Sequence, residues 1–206
     1  MTLTFYTNPM SRGRIARWML EEVGVPYETE LLDFATTAKA PEFLELNPMG
    51  KVPTIVHDGR VVTECAAICA YLADAFPDAN LAPTADERAD YYRWLFFAAG
   101  PVEAAVTNRS LGVEVAADKR GMVGYADYDT TVATLEQAVS AHDYIAGDRF
   151  TAADVYVGSQ VGWGVMFGSL PKRDAFDAYL GRITGRPAAV RAREIDDALI
   201  PKQDGE

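Results

Sequence analysis

The strongest constraint on this chain is a change in its hydrophobic pattern near residue 80. Up to that point short β-rich runs alternate with helical segments, whereas beyond it the strand signal fades and only helical periodicity remains. Elements of these two kinds bury their apolar faces in different layer arrangements. We therefore predict two domains, residues 1–77 and 85–206, joined by a linker over residues 78–84.

The first domain is predicted to be α/β, with the element order βαβ followed by ββα. Asn8 and Pro9 interrupt the first β-rich run, and Gly24 is placed to end the helix that follows. Asp58 and Gly59 form a turn signal between two further β-rich runs. The predicted strands cover residues 2–6, 27–32, 52–56 and 61–63, and the helices cover residues 11–23, 41–46 and a segment from Glu64. A parallel crossover followed by an antiparallel hairpin gives a small mixed sheet with helices on its faces.

The second domain is predicted to be all helical. Its sharpest local signal is Thr151, an N-cap residue, followed by Asp154, whose carboxylate can reach back to the N–H of the cap. Phe150 and Val155 flank this pair as a hydrophobic staple. Without a family to compare it with, this pattern predicts the start of a helix and says nothing about function. The predicted helices cover residues 85–109, 119–146, 151–166, 174–184 and 187–198.

Composition argues against several classes of function. The formal net charge of −11 would repel a polyanion, so nucleic acid is not an expected partner. No segment approaches the roughly 18–20 apolar residues that cross a bilayer, and the N-terminus lacks the features of a signal peptide. We therefore expect a cytoplasmic protein without membrane contact. The two histidines and two cysteines do not have the spacing of a metal site.

Three separated segments together resemble the cytosolic glutathione transferase superfamily, in its bacterial beta- and theta-like forms. They read N-P-M-G-K-V-P-T over 47–54, T-E-C-A-A-I over 63–68 and F-T-A-A-D-V over 150–155, in the order found in the family. The resemblance implies a thioredoxin-like first domain, an all-α second domain and a homodimer. It also implies an enzyme of detoxification that conjugates the thiolate of glutathione, its co-substrate, to a small hydrophobic electrophile without a metal.

The resemblance places glutathione along the first domain. A cis bond between Val52 and Pro53 would turn the Val52 backbone outward to pair with the cysteinyl residue of the tripeptide. The N–H of Cys65 at a helix start, together with its thiol, would hold the γ-glutamyl carboxylate. Glu64 would hold the ammonium group and Lys51 the glycyl carboxylate. Without the family, these residues also suit a trans proline at a strand edge, an acidic helix start with a small buried cysteine, and a solvated lysine.

The group that activates the thiol stays open between two residues of the first β–α turn. Ser11 is the first candidate, because a hydroxyl hydrogen bond to a thiolate supplies roughly 1.5–3 kcal/mol and a helix N-terminus adds about 0.3–1 kcal/mol. Lowering a thiol pKa from ~8.5 by ~2 units requires ~2.7 kcal/mol, so these contributions suffice. Asn8 is the second candidate through its amide, and Arg12 or Arg14 would add positive potential. Ser11 by itself also suits a plain N-cap.

In the family the electrophile binds in an apolar site between the domains. The residues that we expect to line it are Tyr92, Phe96, Trp163, Met166 and Phe167. Two alternatives stay open: a glutathione-dependent disulfide or peroxide reductase, and a non-catalytic protein that binds glutathione or an apolar ligand. The second gains support from Cys65, which replaces the serine usual in the family, since a thiol is a weak hydrogen-bond donor.

Overall fold

The computed structural model describes residues 1–200, which form two compact units. The first unit joins Met1–Asn80 to the segment that starts at Arg186, and the second comprises Leu81–Gly185. The hydrophobic pattern of the sequence changes at the same point, close to residue 80. Residues 201–206, which belong to the predicted second domain, lie outside the described residues.

A four-stranded mixed sheet forms the centre of the first unit. Its strands are β1 (Leu3–Thr7), β2 (Glu28–Leu31), β3 (Thr54–His57) and β4 (Arg60–Val62). Their order in the sheet is β2-β1-β3-β4, with β1 parallel to β2 and antiparallel to β3. Phe5 of β1 lies opposite Ile55 of β3, and both side chains are fully buried. The predicted mixed sheet, a parallel crossover followed by an antiparallel hairpin, is confirmed.

Helices alternate with the strands of the first unit. They are α1 (Gly13–Val23), α2 (Pro41–Leu46) and α3 (Cys65–Ala75), with 3-10 turns at Thr37–Lys39 and Pro77–Ala79. α1 buries Ile15, Met19 and Leu20, which recur at helical spacing. It ends where Gly24 adopts a left-handed φ of 74° and donates its N–H to the carbonyl of Leu20 at 3.0 Å, as predicted.

The regular elements of the second unit are helical. They are α4 (Arg88–Phe97), α5 (Glu103–Ser110), α6 (Tyr128–Ala141), α7 (Ala152–Met166) and α8 (Asp174–Ile183), with a 3-10 segment at Ala117–Met122. The prediction of one helix over 85–109 is wrong in its middle, because a π-helical turn at Ala98–Val102 separates α4 from α5. Pro101 lies in this turn and has no N–H for an α-helical hydrogen bond.

A second break with the predicted helices lies before α6. The helix predicted over 119–146 begins only at Tyr128 and ends at Ala141. Asp127 caps it, since its side chain accepts the N–H of Thr130 at 2.8 Å. The residues that were predicted to extend this helix towards the N-terminus form the 3-10 segment and a loop instead.

A buried carboxylate holds the start of α7. Asp154 accepts the N–H of Thr151 at 2.8 Å, which completes the predicted capping box. It also accepts the N–H of Ile145 at 2.8 Å and the hydroxyl of Tyr179 at 2.9 Å. Burial raises the pKa of the Asp154 carboxyl, and it raises that of the Tyr179 phenol well above its usual value. This one carboxylate therefore ties α7 to the preceding loop and to α8.

The last described helix, α9 (Pro187–Ala198), belongs to the first unit, where it packs against α1. Asp196 of α9 and Arg17 of α1 form an ion pair of 3.0 Å, and their side chains are only 1% and 2% exposed. Arg186, just before α9, holds Glu22 of α1 through bonds of 2.7 and 2.8 Å. Buried small and charged residues thus fix α9 on α1.

The observed division differs from the predicted second domain, 85–206, in this last helix. Helical periodicity predicted residues 187–198 as a helix, and α9 has these bounds. Periodicity does not say which unit a helix packs against, because that depends on partners distant in sequence. The bounds of the linker, 78–84, stay a prediction.

Gly13 lies at a close approach between β1 and α1. A Cβ at this position would lie 1.9 Å from the hydroxyl oxygen of Thr7, the last residue of β1. We expect Gly13→Ala to lower the free energy of unfolding by about 1–3 kcal/mol, because overpacking forces the strand and the helix apart. A shift of the urea midpoint at constant slope measures this loss.

A second substitution tests the steric cause of that loss. Thr7→Ala removes the nearest oxygen, so it should recover part of the stability that Gly13→Ala loses. Gly181→Ala is the matched control, because nothing lies within 4 Å of its added Cβ on the exposed side of α8. There the gain in helix propensity stabilises by up to ~1 kcal/mol. Equal midpoints for Gly13→Ala and the wild type would contradict the steric argument.

Candidate active site

A cavity of about 480 Å³, the first-unit cavity, opens beside the turn from β1 into α1. Its lining residues are Met10, Ser11, Arg12, Phe34, Lys39, Gly50, Lys51 and Val52. Three of these are cationic and, among the described residues, none of the lining is acidic, although the chain carries a net charge of −11. A small anionic ligand therefore matches the first-unit cavity in charge and in volume.

Asn8, the second candidate for thiol activation, holds the turn that borders this cavity. Its amide donates to the carbonyl of Leu32 at 2.8 Å, just after β2, and its side-chain oxygen accepts the N–H of Met10 at 2.8 Å. These bonds tie the turn to the neighbouring strand end. Asn8 does not appear among the described lining residues, so its observed contacts are structural.

Ser11, the first candidate, lies in the lining itself. Its hydroxyl donates to the carbonyl of Asn8 at 2.6 Å and accepts the N–H of Gly13 at 2.9 Å. Serine hydroxyls make such local bonds where a chain turns into a helix. Because Ser11 is in the lining of the first-unit cavity, rotation of its hydroxyl proton would turn the donor from the Asn8 carbonyl towards a ligand bound there.

The segment N-P-M-G-K-V-P-T is held from inside by Asn47. Its buried amide donates to the carbonyl of Lys51 at 2.9 Å and to the hydroxyl of Thr54 at 3.1 Å. The bond between Val52 and Pro53 is cis, as predicted. Lys51 and Val52 both line the first-unit cavity, so the structure brings these two predicted glutathione contacts together with Ser11.

Lys39 is a cation of the site that sequence reasoning missed. Its ammonium group donates to the carbonyl of Gly50 at 3.0 Å. Gly50 has a left-handed φ of 58°, and a Cβ there would lie 2.8 Å from both the Ala38 carbonyl oxygen and the Lys39 ammonium nitrogen. This close approach requires glycine. No periodic pattern surrounds Lys39, so only the fold shows that it shares a cavity with Lys51.

Glu64 precedes α3 in an unusual backbone conformation. Its φ of 65° and ψ of 116° lie outside the regions that non-glycine residues normally occupy, and its side chain is exposed. Strain of this kind is concentrated at functional sites, where the surrounding structure imposes it. The first backbone N–H groups of α3 follow directly, and such groups attract a carboxylate.

The thiol of Cys65 was predicted to help hold the γ-glutamyl carboxylate, but it bonds within the protein instead. Cys65 is buried, and its Sγ donates to the carbonyl of Arg12 at 3.6 Å, so the thiol is engaged within the protein. The backbone N–H of Cys65 lies at the start of α3, and Arg12, whose carbonyl accepts the thiol, is in the cavity lining. Contact with Cys65, together with burial, raises the pKa of the Cys69 thiol well above its usual value.

The predicted co-substrate residues all lie in the second unit. Tyr92 and Phe96 of α4 stack with ring centroids 6.4 Å apart, and Trp163 meets Phe167 edge to face at 6.5 Å. Trp163 is half-buried, whereas the other rings and Met166 are exposed, from 40% for Tyr92 to 73% for Phe167. Exposed rings offer contact area to an apolar ligand, and their role in binding one stays a prediction.

Two apolar residues of the first-unit cavity were not predicted. Met10 and Phe34 are 69% and 51% exposed and line the cavity with Ser11. Large apolar side chains that stay exposed at the edge of a cavity favour a binding surface. Their positions in the loops after β1 and β2, where binding residues are concentrated, were the available signal.

Within residues 1–200, no group of three or more histidine, cysteine, aspartate or glutamate side chains is arranged to hold a metal ion. Over the same part of the chain, no helix combines the length and the apolar character needed to cross a bilayer.

Comparison with known proteins shows the family to which this chain belongs. Residues 1–74 match the family model described as the N-terminal domain of glutathione S-transferase. The chain is 31% identical over 186 residues to glutathione S-transferase GST-4.5 of Xanthomonas campestris pv. campestris, a match that covers 84% of this chain and 90% of that protein. The chain belongs to the glutathione S-transferase family. The predicted family and the predicted enzyme class are thereby confirmed.

Solved structures of other glutathione S-transferases share the fold. A glutathione transferase from Methylococcus capsulatus matches with a TM-score of 0.77 at 27% identity, over 97% of this chain and 100% of that one. A theta class glutathione S-transferase from Xanthomonas axonopodis pv. citri, solved with glutathione bound, matches with a TM-score of 0.72 at 27% identity, over 93% of this chain and 96% of that one. The predicted fold class, a thioredoxin-like α/β domain followed by a helical domain, is confirmed.

Proposed function

We propose that this glutathione S-transferase binds glutathione in the first-unit cavity and transfers its thiolate to a small hydrophobic electrophile. The observation that carries the proposal is the meeting of Lys39, Lys51 and the Ser11 hydroxyl around one cavity with an apolar rim. Ammonium groups suit the carboxylates of the tripeptide, a hydroxyl suits its sulfur, and the rim suits an electrophile.

The glycyl end of glutathione is assigned to the two lysines. Lys51 is exposed at the cavity, whereas Lys39 is fixed by its bond to the carbonyl of Gly50 at 3.0 Å. A carboxylate near two ammonium groups gains charge-assisted hydrogen bonds of roughly 1.5–3 kcal/mol each. The backbone of Val52, also in the lining, is assigned to the cysteinyl residue, which it would pair with as one strand pairs with another.

The γ-glutamyl end is assigned to the start of α3. The backbone N–H of Cys65 carries the partial positive charge of a helix N-terminus, which favours the carboxylate. Glu64, exposed directly before the helix, supplies the opposite charge for the ammonium group. Arg12 links this place to the first-unit cavity, because Arg12 is in the lining of the cavity and its carbonyl accepts the thiol of Cys65.

Ser11 is assigned to the sulfur. Its proton turns from the carbonyl of Asn8 to the thiolate, which lowers the pKa of the bound thiol because the charged form gains a donor. The thiolate attacks the electrophilic carbon, so the sulfur–carbon bond forms while the bond to the leaving group breaks. The leaving group departs with that electron pair, and the thiol proton passes to solvent. Met10 and Phe34 offer apolar contact to the electrophile, with the predicted second-unit residues as further candidates.

We extend the proposal to a homodimer that works in detoxification in the cytoplasm, with no nucleic acid partner. The family supports the dimer, the location and the role, and the net charge of −11 argues against a polyanionic partner.

Binding of reduced glutathione, followed by titration calorimetry, tests the site. Glu64→Gln should weaken binding by about tenfold, equivalent to ~1.4 kcal/mol, because the ammonium group loses its counter-charge. Glu28→Gln, at an exposed glutamate of β2, is the matched control and should leave binding unchanged. Absence of binding by the wild type at millimolar glutathione would overturn the proposal.

Turnover distinguishes conjugation from the two alternatives. We expect the wild type to conjugate glutathione to a generic aryl halide. Reduction of a small disulfide without aryl-halide turnover would favour the reductase. Glutathione binding without either activity would favour a non-catalytic binding protein.

A further inference from the structure

Arg14 links the turn that carries Ser11 to the far end of the described chain. Its Nε donates to the carbonyl of Pro9 at 2.6 Å, and its Nη2 donates to Asp197 of α9 at 2.7 Å. We infer that Arg14 and Asp197 are positioning residues, which hold the Ser11 turn in place for thiol activation. This inference rests on the proposed function, since it concerns the same sulfur.

The geometry suits positioning because the guanidinium group is a rigid plane with donors in fixed directions. Contact with Pro9 on one side and with Asp197 on the other therefore sets both the place and the tilt of the plane. Arg14 is three residues beyond Ser11, in the first turn of α1, and Pro9 is buried. The contact holds the Pro9 side of the turn, while Asn8 holds its start through the carbonyl of Leu32 at 2.8 Å.

The backbone of Asp197 is held in place by its neighbour in α9. Its neighbour Asp196 is fully buried in the ion pair with Arg17, one turn beyond Arg14 on α1. An isolated ion pair as exposed as Arg14 with Asp197, at 24% and 56%, contributes little to stability. The Arg14–Asp197 pair matters here for the position of the turn. Catalytic groups need placement within about 0.5 Å, and the residues that support them set this placement.

A pure charge effect and a positioning effect of Asp197 predict opposite changes in the pKa of the bound thiol, so this pKa distinguishes the two roles. By charge alone, removal of a carboxylate near the site stabilises an anion, so the pKa of the bound thiol would fall. By positioning, loss of Asp197 frees Arg14, the Ser11 turn loosens and the thiol pKa rises. Arg14 pairs with Asp197, and Arg14, Arg17 and Asp197 all act on the neighbouring carboxyl of Asp196.

The experiment measures the pKa of the thiol of bound glutathione from the ultraviolet absorbance of the thiolate, together with kcat and KM for an aryl halide. We expect Arg14→Met and Asp197→Ala each to raise that pKa by ~0.5–1 unit and to lower kcat/KM at neutral pH by about three- to tenfold. The KM for glutathione should change by less than about twofold, because neither residue is among the described lining residues of the first-unit cavity. The double variant should match the single ones, since the two residues act as one unit.

Arg191→Met is the matched control. Arg191 joins α9 to Glu21 of α1 at 3.1 Å, in the same helix pair but away from the Ser11 turn. Its loss should leave the thiol pKa unchanged. Asp197→Asn, which keeps the shape of the side chain and one acceptor oxygen, should give a smaller rise than Asp197→Ala, and it serves as the second variant if Asp197→Ala folds poorly.

A fall of the thiol pKa in Asp197→Ala, or equal values for Arg14→Met and Arg191→Met, would overturn the inference and leave the proposed function standing. A wild type that binds no glutathione would overturn both, and calorimetry alone detects that case.

Discussion

Ser11→Ala is expected to lower kcat/KM at neutral pH by about 10- to 100-fold, since a hydroxyl hydrogen bond to a thiolate is worth roughly 1.5–3 kcal/mol. Among the described lining residues of the first-unit cavity, Ser11 is the one that carries a hydroxyl, and the amide of Asn8 donates to the carbonyl of Leu32. The thiol of bound glutathione should therefore titrate at higher pH in Ser11→Ala. The pH dependence of kcat/KM and the thiolate absorbance both measure this shift.

The same substitution also removes a local bond, because the Ser11 hydroxyl accepts the N–H of Gly13 at 2.9 Å. Loss of such a cap costs about 1 kcal/mol of stability, which a urea midpoint detects separately from the kinetic effect. Ser11→Thr keeps the hydroxyl and should retain most of the activity. An unchanged thiol pKa in Ser11→Ala, with a raised one in Asn8→Ala, would move the activating role to Asn8.

Asp196→Leu is expected to lower the free energy of unfolding by about 3–5 kcal/mol, because it leaves the buried guanidinium group of Arg17 without a counter-charge. Arg17 also donates to the Tyr27 hydroxyl at 3.1 Å and to the Thr29 hydroxyl at 3.0 Å, and both acceptors are neutral. Burial raises the pKa of Tyr27 to about 12, so its phenol does not ionise to replace the carboxylate.

A double substitution, Arg17→Met with Asp196→Leu, should recover most of that loss. A buried ion pair costs much of its attraction in desolvation, so an apolar pair of similar volume is often as stable. Two observations favour this outcome: burial raises the pKa of Asp196 despite the neighbouring Arg17, and one oxygen and one nitrogen of the pair have no hydrogen-bond partner among the described residues. Urea midpoints measure the three variants. A double variant as unstable as the sum of the single ones would contradict the argument.

Local signals in the sequence predicted those parts of the fold that local physics decides. Gly24 ends α1 because it adopts a positive φ without strain. Asp58 and Gly59 turn the hairpin through positive φ values of 47° and 79°. Thr151 and Asp154 begin α7 through bonds that span only a few residues. In each case the residues that signal the structure are the residues that make the contact.

Contacts between segments that are distant in the sequence could not be predicted from such local signals. Lys39 shares the first-unit cavity with Lys51 only because the 3-10 turn and the segment before β3 meet at Gly50. Cys65 bonds to the carbonyl of Arg12 across a long stretch of chain. Asp197 meets Arg14 in the same way. The helices themselves were predictable, but the surface that each one covers was not.

Membership of α9 in the first unit has a consequence for the order of events during synthesis. A ribosome completes residues 81–185 before it makes the helix that covers Arg17, and it adds roughly 5–20 residues per second. For an interval on the order of ten seconds, α1 emerges with its buried face uncovered and the arginine in water. The growing chain therefore carries the Ser11 turn without the contact between Arg14 and Asp197 until α9 has been made. The first unit is expected to acquire its full set of described contacts only after α9 has left the ribosome.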